Sequence, residues 1–224
     1  MTKQSMAQYV YEKLKAGILS QKLNPGQKLI ENDISDTLGV SRTPIRNAFS
    51  KLQEEGIVTI LPNKGAHVIN PAIEEIIEAF TFRKHLELIA TEHIMERIEE
   101  KDIEKLKELI HEEIETYDQK DLAGYIDINT QFHKILVNIS DNRFLKEQAK
   151  KMIHQTHIYL ILYDQFYVVN KKDSRGPKEH QEIVNLIESR DADAFKLLLD
   201  KHISSTIEEY RTRVNTYQQA SDLF

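Results

Sequence analysis

The step Leu38-Gly39-Val40-Ser41-Arg42-Thr43-Pro44 constrains this chain more than any other stretch, because it stops one helix and starts another within a few residues. Residues 33–38 carry a short helical pattern, Gly39 sits where a helix ends in a left-handed residue, and Ser41 offers a hydroxyl to cap the next helix. Pro44 falls in the first turn of that second helix, where its missing N–H costs nothing and its fixed φ helps. Ile45, Ala48, Phe49 and Leu52 recur at helical spacing and predict a buried face. Arg42 and Arg46, four residues apart, share another face at the helix N-terminus. A guanidinium there either grips a phosphate or forks onto the O6 and N7 of guanine. Helix-turn-helix proteins insert this end into the major groove.

The flanking sequence completes a unit. Tyr9, Val10, Leu14, Ile18 and Leu19 form an amphipathic first helix, followed by a tight turn from Leu23 through Pro25 and Gly26 to Leu29. After Gly56, residues 57–61 read as a strand, Pro62-Asn63-Lys64-Gly65 as a turn, and residues 66–69 as a returning strand. The expected order is helix, turn, helix, helix, hairpin, a winged helix-turn-helix with a small β-hairpin wing. Lys64 by its charge, and Gly65 by letting the main chain approach closely, suit contact with DNA at the wing tip.

The phrases L-x-P-G-x-x-L (Leu23 to Leu29), L-G-V-S-R-T-P-I-R (Leu38 to Arg46), L-x-x-E-G-I-V (Leu52 to Val58) and P-N-K-G-A-x-V (Pro62 to Val68) occur in fixed order. Together they resemble the winged helix of the GntR family of bacterial regulators over residues 7–69. The resemblance implies operator contacts from Ser41, Arg42, Thr43 and Arg46, with Lys64 and Gly65 supplying the wing. Asn32 stands where many members carry arginine, and Phe49 stands where leucine is usual.

Composition divides the chain. Four of the five prolines and five of the seven glycines lie within the first 71 residues. Residues 1–70 hold nine Lys or Arg against six Asp or Glu, whereas the remainder holds 21 against 30. A net +3 is thus joined to a net −9, and the basic part is the part with the motif. The expected domains are a DNA-binding unit at 1–70 and a second, all-helical unit at 71–224. With no cysteine, no apolar leader and no membrane-length apolar run, a cytoplasmic chain without a membrane partner is expected.

Residues 72–98, 101–117, 122–139, 142–167, 178–189 and 192–214 show helical periodicity, predicting an antiparallel bundle of about six α-helices. Asp102, Asp121, Asp141 and Asp191 stand near the predicted helix starts as capping acceptors. The segment 168–176 reads as a loose connection. Asn129 and His133 project from one helix face. His180 precedes Ile183, Val184 and Ile187 at helical spacing, and His202 follows Phe195, Leu198 and Leu199 likewise. Four polar groups from three helices therefore point inward. They are either satisfied one by one by neighbours or gathered around a divalent metal. Arg83 either pairs with Glu87, four residues on, or meets an effector carboxylate. His154 and His157 share a face and read as core or solvated residues.

The D/N-x-x-x-H pattern at Asn129 and His133, and two histidines 22 residues apart at His180 and His202, resemble the effector domain of the FadR-like (FCD) branch of the same family. Phe132-His133, Asp141 to Leu145 and Glu179 to Ile183 are further matches over about residues 73–215. The resemblance implies a zinc-like ion, with nickel or another divalent ion also admissible, held by Asn129, His133, His180 and His202. Many members carry Asp at the position of Asn129. It also implies an inward Arg83 near a small organic-acid effector, a homodimer, a palindromic operator, and repression as the usual sign. An alternative is a metal-dependent hydrolase bundle with an attached DNA-binding module. A third is a metal-free bundle that serves for dimerisation only.

Overall fold

The computed structural model describes residues 5–20, 22–163 and 175–221. The chain forms two compact units, Met1–Pro71 and Ala72–Phe224.

In the first unit, α1 (Met6–Leu19) is capped by Ser5, whose hydroxyl accepts from the Gln8 N–H at 3.2 Å. Its buried stripe is Val10, Tyr11, Leu14 and Ile18. Tyr11 takes the place that the sequence pattern gave to Tyr9. Its apolar ring packs while its hydroxyl donates to Glu55 at 2.5 Å, so one side chain serves both the core and a polar edge. α2 (Glu31–Leu38) ends at Gly39 with φ 66°, and the Gly39 N–H returns to the Ser35 carbonyl. α3 (Arg42–Glu54) then buries Ile45, Ala48, Phe49 and Leu52, as the spacing predicts. Ser41 occupies the cap position with extended backbone, yet its hydroxyl makes no capping bond. The cap therefore rests on backbone conformation, and the exposed hydroxyl is left to the surface.

The wing is more than a hairpin. β1 (Lys28–Leu29), β2 (Val58–Leu61) and β3 (Gly65–Val68) form an antiparallel sheet in the order β1-β3-β2. β1 pairs Lys28 with His67 and Leu29 with Ala66. The turn at Asn24 to Gln27 delivers it there: Gly26, at φ 76°, donates to the Val68 carbonyl, and the Val68 N–H donates to Gln27. Two residues are too short to show an alternating pattern, so the sequence carried no signal of this strand. The connection of β2 to β3 turns through Asn63 at φ 60° and Gly65 at φ 88°.

The second unit contains six helices among the described residues: α4 (Ile73–Arg97), α5 (Glu100–Asp118), α6 (Leu122–Asn138), α7 (Arg143–Tyr163), α8 (Gly176–Glu188) and α9 (Ala192–Ser221). α4 packs on α7 and α9, α6 on α5 and α7, and α8 on α5 and α9. Phe80, Ile94, Leu106, Ile126, Phe132, Ile183 and Phe195 fill the interior. Two of the four expected caps hold, Asp121 accepting from Gly124 and Asp191 from Ala194. Two differ. Asp102 is the third residue of α5 and closes a capping box with Glu99. At α7 it is Asn142 that accepts from the Leu145 N–H, because Asp141 is engaged by His93 and Arg97. Of the expected loose connection 168–176, Arg175 and Gly176 adjoin and open α8, and the rest lies outside the described residues. No helix among the described residues is long and apolar enough to cross a membrane.

Candidate metal centre and nucleic-acid face

The centre in the second unit is assembled from five helices. α6 presents His133 at the start of a turn whose other members, Phe132 and Leu136, are buried. α8 contributes His180, in line with Ile183, Val184 and Ile187, and α9 contributes His202 between Leu199 and Ile203. One ring nitrogen from each of the three lies within 4.8 Å of the others. The Nε2 atoms of His133 and His202 are 3.3 Å apart.

Each imidazole is oriented by a glutamate through its Nδ1. His133 meets Glu87 of α4 at 2.6 Å, His180 meets Glu113 of α5 at 2.7 Å, and His202 meets Glu179 of α8 at 2.7 Å. An ionised carboxylate only accepts, so opposite Glu87 and Glu179 the Nδ1 atoms of His133 and His202 carry the proton and their Nε2 atoms present lone pairs. Glu87 is ionised. Burial pushes its carboxyl up, but the electrostatic pull and hydrogen bonds of His133 and Arg83 together outweigh that and bring it down to about 2. Arg83 is the permanent cation of the two, since burial drives the His133 imidazole to its neutral form, down to about 3. Burial lowers His202 as well, with the neighbouring His180 adding to it.

Two lone pairs facing each other at 3.3 Å repel unless a cation lies between them. The buried Nε2 of His180 has no hydrogen-bond partner among the described residues, and an orphaned polar atom of this kind carries a desolvation cost of about 1–3 kcal/mol. A zinc-like ion with ligands at about 2.0–2.1 Å and tetrahedral angles spaces its donors about 3.3–3.4 Å apart. The donor set fits a divalent ion bound by nitrogen, with carboxylate–histidine pairs behind each ligand.

A cavity of about 160 Å³ opens on this centre. Asn129, His133 and His202 line it together with Arg83, Arg175 and Glu209, and Phe80, Ile126 and Ile203 supply its apolar wall. Arg83 makes the expected ion pair with Glu87 and also borders the cavity. Its Nε donates to Glu87 at 2.5 Å and one Nη to Thr156 at 3.0 Å, while the side chain still borders the cavity. Asn129, His133, His202 and Arg83 thus share one cavity, with His180 behind them.

On the first unit, Ser41, Arg42 and Thr43 are exposed at the start of α3, and Lys64 and Gly65 are exposed at the turn into β3. Asn32 is exposed on α2. Arg46 is exposed too, but it is not a free cation: its Nε donates to Glu31 at 2.9 and 3.1 Å.

Against known proteins, the model for "Bacterial regulatory proteins, gntR family" matches residues 6–68, and the FCD domain model matches residues 78–205. The chain belongs to the GntR family and carries an FCD domain. It is 24% identical over 221 residues to the HTH-type transcriptional repressor RspR of Escherichia coli (strain K12), spanning 99% of this chain and 94% of that one. It is 25% identical over 202 residues to the HTH-type regulator YdhC of Bacillus subtilis (strain 168), spanning 90% and 89%. A crystal structure of a GntR transcriptional regulator from Rhodococcus sp. RHA1 shares the fold at TM-score 0.73 and 21% identity, over 93% of this chain and 99% of that one. This GntR/FCD chain is a transcriptional regulator, in a family of regulators and not of enzymes.

Sequence reasoning named Glu87 as a partner for Arg83 and Glu179 as a family match, but missed the pairing of Glu87, Glu113 and Glu179 with the histidines, and Glu31 beside Arg46. Glu113 had a signal: it follows Leu106, Leu109 and Ile110 by seven, four and three residues, on the buried stripe of α5. Glu87 shares the inward row of Phe80 and Arg83.

Proposed function

We propose that the protein is a metabolite-responsive regulator that binds operator DNA as a dimer and changes its operator affinity when a small carboxylate occupies the cavity of the second unit. The observation that carries this reading is the convergence of His133, His180 and His202, each held by a glutamate through Nδ1, beside a cavity that His133 and His202 line, in a chain whose other unit is a winged helix. His133, His180 and His202 would hold a divalent ion, zinc in preference, and the Asn129 carboxamide would add an uncharged oxygen donor. When bound, the ion supplies a Lewis-acidic centre for an anionic group.

The chain's own residues do the remaining work. The cavity is bordered by α4 through Arg83, by α6 through Asn129, and by α9 through His202. A ligand seated there touches three helices at once, and it shifts a conformational equilibrium by as much as its affinity differs between the two states. The Arg83 guanidinium provides a cation for a carboxylate while remaining tied to Glu87. Operator recognition falls to Ser41, Arg42, Thr43 and Arg46 on α3, with Lys64 and Gly65 at the wing. Two-fold symmetry of the dimer implies a palindromic operator, and repression is the sign proposed. The name of RspR, a transcriptional repressor related over nearly its whole length, supports that sign.

The test is a thermal-shift screen of organic acids on the zinc-loaded chain, followed by binding to a duplex selected by the chain from random sequence. An acid that raises the melting temperature and weakens binding to that duplex supports the reading. Stabilising acids that leave DNA affinity unchanged overturn it.

A further inference from the structure

Arg46 lies on the exposed face of α3, with 64% of its side chain accessible, and the Glu31 carboxylate from α2 holds it through Nε at 2.9 and 3.1 Å. Arg42, one turn earlier, is close enough for its charge to act on the same carboxylate. An ion pair this exposed contributes little to folding. It also places a negative charge on the face that, in the reading above, meets a polyanion, and that charge opposes DNA binding of every sequence alike. What the carboxylate provides in return is geometry. A guanidinium has five donors in a rigid fork, and with Nε held by Glu31 the two Nη groups remain as the donors for another acceptor. A side chain ordered before binding loses less entropy in docking.

We propose that Glu31 is a positioning residue that sets operator specificity: it presents the Nη edge of Arg46 to a base and withholds the guanidinium from neighbouring phosphates. This rests on the assignment of α3 as the DNA-reading helix. Attractive contact to the right base is thereby combined with a repulsive element against sequences that offer only backbone.

The experiment uses the full chain and two duplexes: one selected by the wild-type chain from a random-sequence library, and a poly(dI-dC) duplex of equal length. Affinities are measured over a salt series for the wild type, Glu31→Gln, Arg46→Ala and the double variant, with a thermal melt of each to verify folding. The Gln side chain keeps the shape of Glu31 without its charge. The expected result for Glu31→Gln is tighter binding to poly(dI-dC), a specificity ratio lower by about tenfold, which is the low end of what one base pair contributes, and a salt slope steeper by about one. In the Arg46→Ala background the same change should leave the specificity ratio where it was. A ratio unaffected by Glu31→Gln in the wild-type background overturns the proposal, as does an equal fall in both backgrounds. Failure of the underlying assignment reads differently: Arg46→Ala then binds the selected duplex as well as the wild type does.

Discussion

Replacing Arg83 by Met tests the electrostatic frame behind the centre. The Arg83 side chain is 4% exposed and its partner Glu87 1%, with Nε and Oε1 2.5 Å apart. Methionine keeps the length of the stem but leaves Glu87 buried with a neutral imidazole as its remaining partner. Breaking a buried pair by removing one member costs about 3–5 kcal/mol, against about 0–1 kcal/mol for an exposed pair. For a helical unit of this size each kcal/mol lowers the melting temperature by about 2–4 °C, so a drop of about 6–20 °C is expected. Differential scanning calorimetry of the full chain after chelation separates the pair from any contribution of a bound ion. The pH dependence has a definite sign. Glu87 is held at about 2 against its ordinary 4.5, so its contribution is complete above about 4.5 and is lost as the pH falls toward 2. The deficit of Arg83→Met should therefore shrink over that window, and Arg83→Met with Glu87→Gln should recover part of it at neutral pH. A loss below about 1 kcal/mol at pH 7 would place the pair among exposed ones and refute the reasoning.

Three further outcomes follow from particular contacts. Ser41→Ala should change stability by less than about 0.5 kcal/mol, because the hydroxyl makes no capping bond, yet it should weaken binding to a selected duplex; a stability loss near 1 kcal/mol in urea unfolding would restore the cap. His157 donates to or accepts from Thr130 at 2.8 Å and is lowered to about 4, chiefly by burial. The folded state thus binds fewer protons than the unfolded one below pH 6.5, and stability is lost as the pH falls from 6.5 to about 4. The loss is about 3–4 kcal/mol before solvent screening, and His157→Gln should flatten that part of the pH–stability curve. Asn129→Asp adds a charged oxygen donor at the cavity, so competition with a chromophoric chelator should show zinc bound about tenfold or more tightly; unchanged affinity would remove residue 129 from the ligand set.

Much of this was legible in the sequence because the elements are amphipathic and long. The stripe Ile45, Ala48, Phe49, Leu52 and the inward rows of α8 and α9 needed only the helical period. Gly39 announced a left-handed stop, and that is what it adopts. What stayed hidden depends on tertiary contact. β1 exists because the turn at Gly26 lays Lys28 and Leu29 against β3, and no two-residue pattern could show it. The hydroxyl of Ser41 and the carboxylate of Asp141 have the right chemistry for capping, but conformation and competing partners decide which groups are used. The glutamates behind the histidines were hidden for another reason. In a chain with 36 acidic residues, a carboxylate reads as solvated by default, and Glu87 and Glu113 are recognised as buried only from the helical row they share with apolar neighbours. Glu31 offered no such row, since its partner Arg46 lies 15 residues away on another helix.

The most direct test of the account is the metal content of the full chain, purified without a histidine tag and measured by elemental mass spectrometry alongside His180→Ala. The buried Nε2 of His180, without a partner among the described residues, predicts about one divalent ion per chain in the wild type and none retained by the variant after dialysis. A wild-type chain that stays metal-free after exposure to zinc, or a variant that binds as much as the wild type, would contradict it.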